Sequence, residues 1–218
     1  MSRIWIEMSL CITVPYRDRK NHLDEFLPYM RSYLKRLPYH ILIVEQTAGK
    51  PFNRAKLFNI GFSYTKGKYL NYCFHDVDML PEEADYSLVS KPTHMATEAE
   101  QFGWQMPFPD YFGGVTIFDN ESFKKINGFA NEYWGWGAED DDLLKRCYHA
   151  GISIDRKRGR FRSLPHPPAK NEEQHAKNVQ KLHSFVPEHM WNEGLSSLSY
   201  GLVGARRTAD YSHIVVDV

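Results

Sequence analysis

The first 75 residues alternate short apolar runs with longer amphipathic segments, and this alternation constrains the fold more than any other feature of the chain. Short apolar runs are typical of buried strands, and apolar residues at intervals of three and four are typical of helices. The predicted strands are residues 10–14, residues 40–45 and a run that begins at Tyr69; the predicted helices are residues 21–37 and about 54–65, with Gly67 just past the second. The order β-α-β-α-β predicts an α/β fold in which a mainly parallel, Rossmann-like sheet carries helices on both faces.

The second half of the chain is less regular but still mixes both kinds of element. The predicted elements are a strand at residues 113–118, a helix at 120–127 ended by Gly128, a helix that starts in the acidic run near residue 139, a short strand at 152–154 and an edge strand at 213–216. At 218 residues and 42% hydrophobic content, the chain can bury the core of a single domain.

The charge balance excludes partners that depend on a strong electrostatic field. Lys plus Arg number 27 and Asp plus Glu number 27, so no net charge attracts nucleic acid or an anionic membrane. The amino-terminal apolar run is too short for a transmembrane span and lacks the layout of a signal peptide. The chain as written is therefore expected to be cytoplasmic, unless it is a catalytic fragment cut from a longer, anchored protein.

Two tryptophans, two glycines and four acids lie together between Trp134 and Asp142, where the chain reads Trp-Gly-Trp-Gly-Ala-Glu-Asp-Asp-Asp. Aromatic faces pack on the apolar face of a pyranose, glycines allow a loop to close, and a carboxylate can remove a proton from a sugar hydroxyl. The pattern predicts a sugar site with its own base. The alternative is a plain helix start, because acids in a first turn suit the helix dipole.

A second acidic motif, His75-Asp76-Val77-Asp78, follows an aromatic-rich run that is typical of a buried strand. In extended backbone, residues two apart point to the same side, so Asp76 and Asp78 are predicted to present oxygen ligands on one face. Carboxylates supported by an imidazole suit Mg²⁺ or Mn²⁺. The alternative is an ordinary surface turn, but the carboxyl end of a sheet strand is where open α/β sheets bind ligands.

Basic residues follow the first two predicted strands and are expected at the same end of the sheet. Arg17, Arg19 and Arg54 could pair with a diphosphate, while Tyr16 or Phe52 packs on a nucleotide base. The alternative is that these are ordinary surface arginines.

Five motifs occur in a fixed order along the chain. They are Val-Pro-Tyr-Arg-Asp-Arg (14–19), Phe-Asn-Arg-Ala-Lys-Leu-Phe-Asn-Ile-Gly-Phe (52–62), His-Asp-Val-Asp-Met-Leu-Pro (75–81), Tyr-Phe-Gly-Gly-Val (111–115) and Tyr-Trp-Gly-Trp-Gly-Ala-Glu-Asp-Asp-Asp (133–142). Together they resemble the β-1,4-galactosyltransferase family, glycosyltransferase family 7, and the likeness runs from about Cys11 to the tail. The resemblance implies a GT-A fold, UDP-galactose as donor, Mn²⁺ (or Mg²⁺) as cofactor, a glycan or glycoside acceptor, and inversion at the anomeric carbon.

The resemblance also assigns roles to residues within one catalytic domain, with a nucleotide-sugar half at about 1–80 and an acceptor and catalytic half at about 81–218. The implied donor-binding residues are Pro15, Tyr16, Arg17, Arg19, Phe52, Arg54, Asp76, Val77 and Trp136. The implied acceptor-binding residues are Tyr111, Gly114, Trp136, Glu139, Asp140 and Asp141, with Asp140 as the catalytic base. Asp78 and His166 are implied as metal ligands.

Two positions depart from the family pattern. Ala138 stands where the family has glycine. The alanine is expected to stiffen the tryptophan loop, residues 134–138, and to slow its closing. Ser163 stands where a second metal ligand, methionine or histidine, belongs. Because a hydroxyl is a poor substitute, the metal is expected to bind more weakly, take a water instead, or recruit His75.

The choice of sugars is only partly defined by the sequence. The bulky Tyr111 predicts galactose, since a smaller residue there goes with N-acetylgalactosamine in the resembling family. The polar segment 171–182 leaves N-acetylglucosamine, xylose and glucose open as acceptors, and Trp104 and Phe108 are either an acceptor platform or core. The alternatives are an N-acetylgalactosaminyltransferase and a non-catalytic protein that binds nucleotide sugars or carbohydrates. Animal members of the family are Golgi proteins, so a trimmed member of that kind would belong in the Golgi lumen.

Overall fold

A computed structural model describes residues 10–65, 68–167 and 171–218 and contains a central eight-stranded sheet. The strands are Leu10–Tyr16 (β1), Tyr39–Gln46 (β2), Asn71–His75 (β3), Met79–Glu83 (β4), Thr93–His94 (β5), Glu98–Ala99 (β6), Val115–Asp119 (β7), Asp155–Arg156 (β8), Arg160–Ser163 (β9), Gly201–Arg207 (β10) and Tyr211–Asp217 (β11). The helices are Lys20–Tyr33 (α1), Arg54–Thr65 (α2), Asn120–Lys125 (α3), Glu139–His149 (α4), Glu172–His183 (α5) and Pro187–Met190 (α6).

The central sheet has the order β10-β11-β2-β1-β3-β7-β5-β8, and β4, β9 and β6 form a separate three-stranded sheet. In the central sheet, β11, β2, β1 and β3 are parallel, because β1 pairs in parallel with β2 and β3, and β11 with β2. The remaining partners are more mixed: β7 runs antiparallel to β3 and β5, and β10 runs antiparallel to β11. The predicted α/β fold is confirmed, with antiparallel strands concentrated outside the β-α-β-α-β unit.

Helices cover both faces of the sheet. Ile12 of β1 packs in one core cluster with Phe26 of α1, whereas its neighbour Cys11 packs in a second cluster with Phe58 of α2. This alternation is what a strand buried on both faces requires. Asn53 begins α2 by accepting a hydrogen bond from the Lys56 amide at 2.8 Å, which satisfies one of the free N–H groups of the first turn.

Several predicted elements differ from the structure. Helix α1 ends at Tyr33 rather than residue 37, and the strand predicted at 152–154 is wrong, because the strand there is β8. The strand predicted at 213–216 is confirmed as part of β11, but its predicted edge position is wrong, since β11 lies between β2 and β10, and β10 forms the edge. Gly67 lies outside the described residues. In the described ranges, no helix combines the length and the apolar character that crossing a membrane requires.

Candidate functional site

The topology brings the predicted site residues to one edge of the central sheet. Arg17 follows the carboxyl end of β1, and Asp76 follows the carboxyl end of β3. Because β7 is antiparallel to β3, it begins at this edge, and Gly113 and Gly114 immediately precede it. Open α/β sheets bind ligands at the carboxyl ends of their parallel strands.

Arg54, the first residue of α2, holds three carboxylates around one guanidinium. Its Nε donates to Oδ1 of Asp76 at 2.5 Å, and its Nη1 donates to Oδ1 of Asp140 at 2.7 Å and to Oε1 of Glu139 at 3.3 Å. The Arg54 side chain is only 14% exposed, and its guanidinium also lies 4.7 Å from the centre of the Phe58 ring. Its predicted contact with a diphosphate stays a prediction, because carboxylates occupy the guanidinium in this structure.

Burial and crowding make two of these carboxyl groups weak acids. Burial is the largest cause that raises the pKa of Asp140 to about 8; Arg54 opposes the shift, and the charges of Glu139 and Asp76 add to it. Burial likewise raises the pKa of Asp76 to about 6 against the effect of Arg54. A carboxylate with a raised pKa is a stronger base than a free one, which suits removal of a proton from an alcohol.

Asp76 and Asp78 do not form the predicted pair on an extended strand. Residues 76–78 form a turn between β3 and β4, and the Met79 amide donates back to the Asp76 carbonyl at 3.3 Å. Asp76 binds Arg54, whereas Oδ2 of Asp78 lies 3.0 Å from Nε2 of His166. The extended geometry assumed from the sequence is therefore wrong, and the two carboxylates have different partners.

Asp78 and His166 form the part of the site that suits a metal ion. His166 Nδ1 donates to the Pro167 carbonyl at 2.8 Å, and Nε2 faces Asp78, so a metal ion bound there would replace the proton that Nε2 shares with the carboxylate. This is the arrangement of a metal-binding imidazole. Burial acts to raise the pKa of Asp78, but its hydrogen bond to His166 lowers it below the ordinary value. The Nδ1 atom of His22, whose ring lies 6.3 Å from the His166 ring, is buried without a partner among the described residues.

Of the two possible additional ligands, His75 is poorly placed, and Ser163 already has a hydrogen-bond partner. His75 is fully buried, with Nε2 bonded to the Tyr86 hydroxyl at 2.7 Å and Nδ1 to the Asp76 carbonyl at 2.8 Å, so recruitment of His75 does not fit the structure. The Ser163 hydroxyl accepts a hydrogen bond from the Gln101 amide at 3.3 Å. Among the described residues, no three His, Cys, Asp or Glu side chains form a cluster that could hold a metal. One carboxylate and one imidazole fit an ion that takes its other ligands from phosphates and water.

The predicted nucleotide pocket lies beside the end of β1. The Arg17 guanidinium lies 5.4 Å from the centre of the Phe52 ring, and its Nη1 donates to the Lys50 carbonyl at 2.8 Å. The Phe52 carbonyl accepts from the Gly135 amide at 2.7 Å, which ties this pocket to the tryptophan loop. Of the other predicted donor-binding residues, Pro15, Tyr16 and Val77 are buried, and Arg19 is partly exposed where α1 begins.

Asp140 lies against the Tyr-Phe-Gly-Gly segment. A Cβ at Gly113 would lie 2.6 Å from Oδ2 of Asp140 and 2.8 Å from the Tyr111 hydroxyl oxygen, so glycine is needed where these two groups meet. Gly114 has a φ of 78°, in the left-handed region that favours glycine. Burial raises the pKa of the Tyr111 hydroxyl, and the charge of Asp140 raises it further.

The tryptophan loop has left-handed backbone at Gly135, Gly137 and Ala138, and Trp136 remains 52% exposed. Two side chains of α5 contact its carbonyls: Nδ2 of Asn178 donates to those of Trp134, Trp136 and Gly137 at 2.9, 3.3 and 3.1 Å, and Nδ1 of His175 lies 3.3 Å from that of Trp136. Asn178 was not predicted from the sequence. In the structure Gln174, four residues earlier, donates to the Asn178 side-chain oxygen at 3.1 Å and so fixes its amide.

The four consecutive acids, residues 139–142, have different partners in the structure. Glu139 and Asp140 face Arg54, whereas Asp142 is buried with Arg146 at 2.5 Å and accepts from the Tyr133 hydroxyl at 3.1 Å. Asp141 lies half-buried, and burial raises its pKa. The run therefore both begins α4 and supplies the site, so the two interpretations of the sequence are compatible.

Trp104 and Phe108, which could form an aromatic platform for the acceptor, have different surroundings. The Arg160 guanidinium lies 3.6 Å from the centre of the Trp104 ring and covers one of its faces. Phe108 is 45% exposed and contacts the Tyr111 ring edge-on at 5.7 Å. Of the two, Phe108 is the one that lies beside the predicted acceptor site.

A GT-A type sheet with a buried carboxylate and an Asp–His pair at one edge defines the class as a nucleotide-sugar transferase fold. A sequence profile for the N-terminal region of glycosyl transferase group 7 matches residues 3–90, and one for the N-terminal domain of galactosyltransferase matches residues 93–167. The chain belongs to the β-1,4-galactosyltransferase family, which confirms the resemblance.

Individual relatives agree with this assignment. The chain is 38% identical to mouse β-1,4-galactosyltransferase 1 over 96% of its own length and 54% of that protein, so it spans about half of this relative. The catalytic domain of Drosophila β-1,4-galactosyltransferase 7 in complex with xylobiose superimposes with a TM-score of 0.82 at 27% identity, covering 96% of this chain and 94% of that one. A mutant of the same protein with manganese, UDP-Gal and xylobiose gives a TM-score of 0.76 at 27% identity over the same shares.

Proposed function

We propose that this chain transfers galactose from UDP-galactose to a hydroxyl group of a sugar acceptor, with inversion at the anomeric carbon and formation of a β-1,4 linkage. The observation that carries the proposal is the Asp140 carboxylate, which lies between Arg54 and the Gly113 backbone with a raised pKa. Membership of the family and the UDP-Gal and manganese of the Drosophila complex support this choice of donor and cofactor.

Asp140 would act as the general base. It would take the proton of the acceptor hydroxyl while that oxygen attacks the anomeric carbon from the face opposite UDP. The bond from the anomeric carbon to the phosphate oxygen breaks in the same displacement, and UDP leaves with the electron pair. A single displacement inverts the anomeric centre and needs no enzyme nucleophile.

Other residues would bind and orient the donor. Asp78 and His166 would hold Mn²⁺ or Mg²⁺, and Arg17 lies beside the same edge of the sheet. When bound there, the metal supplies positive charge that stabilises the departing diphosphate. Trp136, exposed on its glycine-flanked loop, would cover the sugars and exclude water that would otherwise hydrolyse the donor.

The acceptor would be N-acetylglucosamine, xylose or glucose. The face of α5 that meets the tryptophan loop carries Gln174, His175 and Asn178, all of them polar. Xylobiose in the Drosophila complex makes xylosides a necessary member of any acceptor panel.

The test measures UDP release from UDP-galactose with Mn²⁺ and a panel of these three acceptors, with product mass and linkage determined. Asp140→Asn is expected to abolish turnover while UDP-galactose binding is retained, and Asp78→Asn is expected to weaken Mn²⁺ binding. Asp24→Asn, at an exposed carboxylate paired with Lys20, is the matched control and should behave as wild type. Binding without turnover on every acceptor would favour a non-catalytic binding protein, and preference for UDP-N-acetylgalactosamine would favour the related transferase.

A further inference from the structure

Two side chains outside the predicted site, the buried His94 and the partly buried Arg156, hold the segment that faces Asp140. Arg156 of β8 donates from Nη1 to the Tyr111 carbonyl at 2.6 Å and from Nη2 to the Pro109 carbonyl at 3.1 Å. His94 of β5 lies 3.0 Å through Nε2 from the Gly113 carbonyl. The carbonyls on both sides of Phe112 are therefore fixed by neighbouring strands.

Arg156 and His94 also bind each other, which sets the tautomer of the imidazole. Nη1 of Arg156 lies 2.7 Å from Nδ1 of His94. Because a guanidinium can only donate, Nδ1 must accept, so the proton lies on Nε2 and is donated to the Gly113 carbonyl. Burial lowers the pKa of His94 to about 4, in agreement with a neutral ring.

The same pair supports the Tyr111 side chain. The His94 ring meets the Tyr111 ring edge-on at 5.4 Å, with Phe102 and Phe108 at 5.5 and 5.7 Å on other sides. The Tyr111 hydroxyl and Oδ2 of Asp140 both lie against Gly113. A displacement of this segment would therefore change the room beside Asp140 as well as the position of the tyrosine.

We propose that Arg156 and His94 form a positioning pair that fixes the Tyr111–Gly113 wall against Asp140 and so limits the size of the transferred sugar. The inference rests on the proposed function. A sugar whose transfer depends on Asp140 must lie beside this wall, so a loosened wall admits a bulkier substituent and misplaces the smaller sugar. Neither residue touches the reacting atoms, so each acts through Tyr111 and Gly113.

The test compares Arg156→Met, Arg156→Lys and His94→Leu by steady-state kinetics with UDP-galactose and UDP-N-acetylgalactosamine. Arg156→Met is expected to lower kcat with UDP-galactose by roughly 10- to 100-fold, because misplacement of about 1 Å has effects of that size. The KM for UDP-galactose and the affinity for UDP should change by less than about threefold, and the ratio of kcat/KM for the N-acetylated donor over UDP-galactose should rise at least about fivefold. Arg156→Lys keeps the positive charge but loses the planar guanidinium, so its kcat and donor ratio should lie between those of wild type and Arg156→Met.

Lys157→Met is the matched control, because this neighbouring cation binds Asp85 and Ser87 at 2.8 Å on the surface. It should leave kcat and the ratio of kcat/KM for the two donors unchanged.

An unchanged donor ratio in Arg156→Met, or a loss of UDP affinity equal to the loss of kcat, would overturn the proposal. If near-ultraviolet circular dichroism shows that Arg156→Met does not fold, the donor ratios of Arg156→Lys and His94→Leu test the proposal instead. A wild-type protein without turnover would refute the proposed function, whereas active wild type with an unchanged ratio would refute only the positioning pair.

Discussion

Arg54 binds Asp140 at 2.7 Å, and through Nε it also binds Asp76 at 2.5 Å, so one guanidinium links the candidate base to the turn that carries the candidate metal ligand. Glu139 adds a third carboxylate at 3.3 Å. Burial is the largest cause that raises the pKa values of Asp140 and Asp76 although both touch an arginine, and the neighbouring carboxylates, which one positive charge cannot balance, add to the shift. The arrangement keeps a strong base in place next to a fixed cation.

Arg54→Met is expected to lower the free energy of unfolding by about 3–5 kcal/mol, because it leaves buried carboxylates without a counter-ion. It should also abolish turnover at neutral pH, since Asp140 would then hold its proton more tightly. Urea unfolding and UDP release measure the two effects. Arg162→Met, which breaks an exposed pair with Glu25, is the control and should cost at most about 1 kcal/mol. If Arg54→Met lowers the free energy of unfolding as little as the control does, the Arg54 network is not a buried charge cluster.

The acid limb of the pH profile should lie far above the range of an ordinary aspartate. Asp140 must be ionised to accept a proton, and burial raises its pKa to about 8. The kcat/KM of the free enzyme should therefore rise with pH up to about pH 8. Initial rates between pH 5 and 9 at fixed Mn²⁺ test this expectation, and a plateau already reached at pH 5 would contradict it.

The same shift predicts how stability depends on pH. The pKa of Asp140 is higher in the folded state than its ordinary value of 3.8, so the stability that the neutral carboxyl contributes is complete below about pH 4 and is lost as pH rises to about 8. Asp140→Asn stays neutral at every pH. Its unfolding free energy should match wild type near pH 4 and exceed it increasingly toward pH 8. A stability difference that stays constant over this range would count against the raised pKa.

The β-α-β-α-β unit could be predicted because its signals are local. The apolar runs that became β1 and β2 and the periodic apolar residues of α2 lie within single windows of sequence. Strands β4 and β9 were missed because they carry polar residues and pair across about eighty positions of the chain. Strand β10 was missed because it is an exposed edge with almost no buried residues.

The chemistry of the site could be predicted, but its pairings could not. The Asp-Val-Asp motif indicates ionic chemistry at a strand end, yet only the fold shows that Asp76 meets Arg54 while Asp78 meets His166. Such contacts join residues 22 to 88 positions apart, beyond the reach of spacing arguments. Asn178 was hidden for a similar reason: it is one polar residue in a polar helix, and only its burial distinguishes it.

Asn178→Ala should loosen the tryptophan loop, because it removes the donor shared by three backbone carbonyls. Hydrogen exchange of residues 134–138 is expected to become faster, and kcat should fall about tenfold or more, as expected when a closing loop is poorly positioned. Gln180→Ala, at an exposed position of the same helix, is the control and should change neither. Normal loop exchange in Asn178→Ala would show that the Trp134–Gly137 carbonyls are held by other contacts.

Ala138 offers a test of backbone strain at the start of α4. It has a φ of 74°, and a non-glycine residue in this region costs about 1–2 kcal/mol. Ala138→Gly relieves that cost but gives the unfolded chain more entropy, worth about 0.4–1 kcal/mol, so stability should stay equal or rise slightly while the loop closes faster. Ala176→Gly in the exposed part of α5 should instead lose about 1 kcal/mol. Urea unfolding and stopped-flow tryptophan fluorescence after UDP-galactose addition measure both properties, and equal destabilisation of the two variants would rule out strain at Ala138.

Ser163→His should strengthen metal binding. Ser163 pairs with Met79 across β9 and β4, and the next residue, Leu164, donates its amide to the Asp78 carbonyl at 2.7 Å, so an imidazole at this position would lie close to Asp78 and His166. A third protein ligand is expected to raise Mn²⁺ affinity at least about tenfold, which corresponds to ~1.4 kcal/mol. The free Mn²⁺ signal in electron paramagnetic resonance titrations gives the affinity without any turnover. Ser184→His, at the exposed end of α5, is the control for a surface histidine. If Ser163→His binds Mn²⁺ no more tightly than wild type while Asp78→Asn still weakens Mn²⁺ binding, the coordination shell of the metal is already complete without residue 163.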